Sequence, residues 1–156
     1  MLIFGGLNVE AFGQTATIKE MISRRQTAGA MMSDVFGLDD SPMQNAELTS
    51  LSAIKFPNAV KVEYLSETRK LGKIRKKAVD KWLKDFGKTP ADKKFYVNET
   101  LVAENNVNYW IIAKESVLEQ LKARQKNDSI VLKLKILGYY RKGSIVDYFL
   151  MTDGLE

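Results

Sequence analysis

Two of the side chains that carry most enzyme chemistry are missing, because the 156-residue sequence contains no cysteine and no histidine. That excludes thiolate nucleophiles, disulfides, Cys/His zinc and iron-sulfur sites, Ser-His-Asp triads and imidazole switches. The cations that remain are concentrated. Net charge is +5, but residues 61 to 95 hold twelve basic and five acidic groups, a local excess of +7, against −2 over residues 1 to 60 and zero over residues 96 to 156. Such a field attracts phosphates, anionic lipid heads or an acidic protein surface. Aromatic residues follow the cations, and the two types together are what single-stranded nucleic acid requires: charge for the backbone, ring faces for the bases. The candidate nucleic-acid residues are Arg69, Lys70, Lys73, Arg75, Lys76, Lys77, Lys81, Lys84, Tyr96, Tyr109, Trp110, Arg141 and Lys142.

Other local patterns fail on spacing. Gly87-Lys88-Thr89 ends like a phosphate-binding loop, but Trp82 stands where that loop needs its first glycine. Gly5-Gly6 lacks the third glycine of a dinucleotide site, and Asp34, Asp39 and Asp40 lack the spacing of a calcium loop. No pair of the 19 acidic residues is singled out for acid-base work, and Ser129 with Lys133 forms no nucleophile motif. Asn98-Glu99-Thr100 and Asn127-Asp128-Ser129 fit the glycan acceptor pattern, which is short enough to arise by chance. The expectation is a non-enzyme without cofactor or soft-metal site.

These residues must be held by a packed body, since 45% hydrophobic and 28% charged residues with three prolines describe a globular chain. Ile18, Met21, Ile22, Met31, Met32 and Val35 space as a helical stripe over 17 to 36, a loop follows at Gly37 to Pro42, and a short helix is expected near 46 to 51. From residue 58 the period changes. Val60, Val62 and Tyr64 alternate with charged residues in a strand near 59 to 65. A helix over 73 to 86 places Ile74, Ala78, Val79, Trp82, Leu83 and Phe86 on one face and lysines around the rest. Strands 95 to 102 and 107 to 113 form a hairpin across Asn105-Asn106, and a helix covers 115 to 125. Ile130 to Ile136 alternates as a strand with one wet face, 138 to 143 turns, and 144 to 151 returns with both faces apolar.

The order β-α-β-β-α-β-β over residues 58 to 156, behind a helical arm at 1 to 57, resembles an OB-fold in element succession. The resemblance implies an α+β fold, an OB-like five-stranded antiparallel barrel or sheet with a helical N-terminal extension. It also implies that the basic helix and Tyr139-Tyr140-Arg141-Lys142 occupy the two loops with which such barrels grip oligonucleotides. An open antiparallel sheet and a ferredoxin-like arrangement are the other architectures.

No apolar run approaches the about 20 residues of a membrane-spanning helix. Leu2, Ile3, Phe4, Leu7 and Phe12 make an apolar run that marks a protein-docking arm. Ala11-Phe12-Gly13 before Gln14 also fits the end of a secretory signal, although the basic start of one is missing. A cytoplasmic or assembly-bound location is favoured, with export the alternative. The leading functional expectation is a non-catalytic structural or adaptor subunit that docks onto other protein subunits or onto itself. The alternative is a single-stranded nucleic-acid binder using residues 69 to 94.

Overall fold

The computed structural model describes residues 16–23, 31–32, 47–50, 58–86, 90–143 and 145–156. In chain order the elements are α1 (Ile18–Ser23), β1 (Met31–Met32), β2 (Glu47–Ser50), β3 (Asn58–Lys70), α2 (Lys73–Asp85), a 3-10 turn (Pro90–Phe95), β4 (Asn98–Glu104), β5 (Val107–Ala113), α3 (Glu115–Leu121), β6 (Ser129–Lys142) and β7 (Ile145–Leu155).

Strands β3, β4, β5, β7 and β6 close into a five-stranded barrel in that order, because β6 pairs with both β7 and β3. The element order thus leads to the OB-like α+β fold it predicts. One pair differs from an all-antiparallel barrel: β5 and β7 run parallel, with Ile111 opposite Leu150 and Ala113 opposite Thr152. Strand β3 serves two neighbours. Its first half pairs with β6 and its second with β4, and the register shifts between Tyr64 and Thr68, where Ser66 takes φ +59°. This bulge bends the strand so that one chain segment can close the barrel.

Alternation then fills two cores. Val60, Val62, Tyr64, Val102, Tyr109, Ile111, Leu132, Leu134, Ile136, Tyr148 and Leu150 point into the barrel, joined by Ile18, Met21 and Ile22 of α1 and Val117, Leu118 and Leu121 of α3. On the outside, Ala78, Val79, Trp82 and Leu83 of α2 pack on Ile112, Leu137, Tyr140, Phe149 and Met151. Both faces of β7 are therefore covered, as its two apolar faces require. In β6 the inward set switches from even to odd positions at a second register shift between Ile136 and Gly138, so that Leu137 and Tyr140 face α2.

That bulge overturns the expected turn at 138 to 143. Strand β6 runs on to Lys142, which pairs with Ile145, and Gly143 at φ +62° occupies the left-handed conformation that favours glycine. Tyr139, Tyr140, Arg141 and Lys142 are strand residues, not a loop. The β6–β7 hairpin thereby extends past the stretches paired to β3 and β5, and its two edges take further strands. Strand β2 pairs antiparallel with Gly138 to Arg141, and β1 pairs parallel with Ile145 and Val146. The helices expected over 17 to 36 and near 46 to 51 are corrected accordingly: the described helix there is Ile18–Ser23, and Met31–Met32 and Glu47–Ser50 are strands. Open strand edges recruit partners more strongly than weak helical periodicity resists.

Helix α1 is held at its start from both sides. Thr17 and Glu20 cap each other, the Glu20 N–H donating to Thr17 Oγ1 at 3.0 Å and the Thr17 N–H to Glu20 Oε2 at 3.2 Å. Across the fold, the buried Glu104 carboxylate accepts from the Ile18 N–H at 2.9 and 3.0 Å. Ala16 bridges Val60, completing the attachment of this segment to the barrel.

Candidate functional site

The basic helix α2 divides its cations into three kinds. Lys73, Lys76, Lys77 and Lys84 lie on its exposed side, a stripe of about 16 Å given the rise per residue. Lys81 pairs with Asp85 at 2.6 Å, and Lys93 from the 3-10 turn reaches Asp80 at 2.9 Å. Arg75 does neither. It is only 3% exposed, its guanidinium lying 3.4 Å from Glu99 and 3.7 Å from Asp147 and 5.2 Å from the centre of the Phe149 ring. Glu99 also accepts from Arg69 at 2.5 Å, so four alternating charges join β3, α2, β4 and β7. Arg75 is thus removed from the surface where the sequence placed it. Arg69 and Lys70 end β3, with Lys70 exposed and Arg69 partly covered.

The aromatic platform does not assemble as expected. Tyr109 points into the barrel core, and Tyr96 is buried edge-on against Trp82 with ring centres 6.1 Å apart. Trp110 is on the outer face and half-buried, with the Arg69 guanidinium 3.9 Å above its ring. Arg141 and Lys142 are exposed at the far end of the β6–β7 hairpin. The docking residues Leu2, Ile3, Phe4, Leu7 and Phe12 lie outside the described residues, as do Asp34, Asp39 and Asp40.

A different site forms where the end of α2 meets the 3-10 turn. Trp82, Leu83, Asp92, Phe95, Tyr96, Lys114, Lys135 and Asp153 line a cleft of about 260 Å³. Its rings are already paired with cations: Lys135 Nζ is 4.9 Å from the Trp82 ring centre, and Lys94 and Lys114 are 5.1 and 5.8 Å from that of Phe95. Lys135 is bound to Asp153 at 3.1 Å. The Trp82 Nε1–H is buried and has no hydrogen-bond acceptor among the described residues. Burial, with Asp153 and Asp92 adding to it, pushes the Tyr96 phenol up to about 12, so it stays protonated. Phe95 is 37% exposed and Phe86, one turn beyond Leu83, is 36% exposed.

Sequence spacing could not collect this set, because Lys114, Lys135 and Asp153 come from three separate elements. Only Trp82, Leu83 and Phe86 announce themselves, by helical period. Among the described residues no helix is long and apolar enough to cross a membrane, and no three acidic side chains gather as a metal site. Comparison with protein-family models, with curated proteins and with solved structures gave no match in any of the three.

Proposed function

We propose that this protein is a non-catalytic adaptor subunit that docks other proteins at the end of α2. The observation that supports this reading is the exposed rings of Phe86 and Phe95 at the end of α2, where Asp92, Lys114, Lys135 and Asp153 supply the charged lining of a cleft. Exposed aromatic rings with a charged rim are what recurrent protein contacts use as anchors, because ring burial supplies energy and the rim supplies orientation. The N-terminal arm, with its apolar run, is a second docking element in the same reading.

The test is affinity purification from the native source with nuclease present, comparing the wild-type chain with a Phe86→Ser, Phe95→Ser variant. The reading predicts a defined set of proteins retained by the wild type and lost from the variant at unchanged fold. Equal recovery by both would remove this surface from the account.

A second reading, a binder of single-stranded nucleic acid, is favoured by the exposed Lys73, Lys76, Lys77 and Lys84 stripe. Burial of Tyr96 and Tyr109 leaves it mainly electrostatic, so affinity should fall steeply with salt. Absence of micromolar binding to single-stranded DNA and RNA at low salt would exclude it.

A further inference from the structure

Helix α2 covers a core of its own. The barrel interior, closed by α1 and α3, is one apolar cluster, whereas Ala78, Val79, Trp82 and Leu83 pack on the outer wall in a second cluster that shares no residue with the first. Losing the second leaves the apolar contacts within the first in place. Buried polar groups are divided just as unequally. The three Arg75 guanidinium nitrogens, Trp82 Nε1 and Glu99 Oε2 are buried without a hydrogen-bond partner among the described residues, and all of them lie between α2 and the barrel wall. The interior cluster holds no such atom among the described residues. Docking α2 therefore carries a desolvation cost that water recovers when the helix lifts. That cost is of the same order as the gain from burying four apolar side chains, which leaves the helix weakly held. Its own sequence supports it poorly as well. Helices α1 and α3 carry Glu20 and Glu115 in their first turns, but α2 has no acid there, begins with Lys73, and its N-cap Gly72 makes no side-chain hydrogen bond. Lys77 meets like charges one turn away on both sides, at Lys73 and Lys81. The pairs Lys81–Asp85 and Lys93–Asp80 oppose this only at the surface, where ion pairs are weak.

We infer that α2 is a strap that lifts from the closed barrel as a unit, baring the apolar wall of Ile112, Leu137, Phe149 and Met151 while the barrel stays folded. The inference goes beyond the adaptor reading and stands without it. Opening places Arg75 and Glu99 in water and breaks the contact between Trp82 and Tyr96, so the surface that carries Phe86 is complete only when the strap is closed.

Native-state hydrogen exchange of the full chain, followed amide by amide in low concentrations of urea, reads this opening directly. The amides of Ala78 to Leu83 should exchange at a common rate, at least about tenfold faster than those of Ile130 to Leu134 in β6, and with a smaller but measurable dependence on urea, since less surface is exposed than in full unfolding. Two variants separate a strap from a helix that leaves only when everything unfolds. Ile111→Val lies in the barrel interior and weakens the closed and open forms equally, so it should speed the β6 amides roughly fivefold and leave the α2 amides at their wild-type rate. Val79→Ala lies under α2 and weakens the closed form alone, so it should speed both sets by the same factor, about tenfold. A single rate and a single urea dependence shared by α2 and β6 overturns the inference, as does an Ile111→Val variant that accelerates both sets alike. Exchange of the α2 amides at unrelated rates without urea dependence overturns it too, because that is fraying and not release as a unit. The wild-type rates and urea dependences decide the matter even where a variant fails to fold.

Discussion

Arg75 is held by charge rather than by directed hydrogen bonds, since none of its three guanidinium nitrogens has a hydrogen-bonded partner among the described residues although two carboxylates lie within 4 Å. Such a buried group binds its neighbours at a desolvation cost nearly equal to the attraction. Removing it alone takes a cation away from two buried carboxylates, those of Glu99 and Asp147. Arg75→Met should therefore destabilise the fold by about 3 kcal/mol in urea unfolding, while Arg75→Met with Glu99→Leu and Asp147→Leu should cost less than the single change. A triple variant weaker than the single one would show that the network stabilises outright. Two tyrosines give the pH dependence. Burial raises Tyr96 and Tyr109 to about 12 each, the latter helped by Glu104. Below pH 10 both states are protonated and stability is unaffected. Between pH 10 and 12 the unfolded chain releases protons that the folded chain keeps, so stability falls, by roughly 2 kcal/mol per tyrosine. Urea midpoints across that range, followed with phenolate absorbance, should show this loss. Midpoints unchanged to pH 12 would mean that the two rings titrate as exposed ones.

At the scale of elements, the β4–β5 hairpin shows how local sequence and structure agree. Asn105 at φ +49° and Asn106 at φ +65° are both left-handed, the requirement of a type I′ turn, and asparagine is among the few residues that adopt it readily. Asn106→Gly should stabilise the protein by about 0.5 kcal/mol, read as a higher urea midpoint; a lower midpoint would mean that the Asn106 side chain contributes more than its backbone costs. Helix α1 depends on a distant residue instead. Glu104→Ala removes the acceptor for the Ile18 N–H and should cost about 2 kcal/mol while accelerating hydrogen exchange at Ile18 and Lys19. Exchange unchanged at those amides would assign α1 to its local Thr17–Glu20 cap. Strands β4 and β5 were legible from two short apolar runs meeting at Asn105-Asn106, and helix α2 from its apolar face at helical period. Strand β6 was misread past Gly138 because a bulge reverses the period, and no composition marks a bulge in advance.

For the whole molecule, the barrel was legible from element order, whereas the fate of the N-terminal third was not. Its short strands β1 and β2 have no periodicity of their own. They exist because β6 and β7 extend beyond the barrel and leave two edges to be paired. The candidate site was half legible for a similar reason. A charge count sees Arg75 and Lys84 as equals, but packing buries the first against Glu99 and Asp147 and leaves the second in water. The same packing withdraws Tyr96 and Tyr109 from the surface, while Phe95, expected inside a strand, ends the 3-10 turn with its ring exposed. The end of α2 therefore carries an aromatic cleft lined by two lysines and two aspartates, beside a lysine stripe. The most direct measurement is hydrogen exchange on the chain alone and within its nuclease-treated native assembly, compared peptide by peptide. The account predicts protection on assembly in the segments 82 to 86 and 90 to 96 and around Lys114. Protection absent there and confined to other surfaces would contradict it.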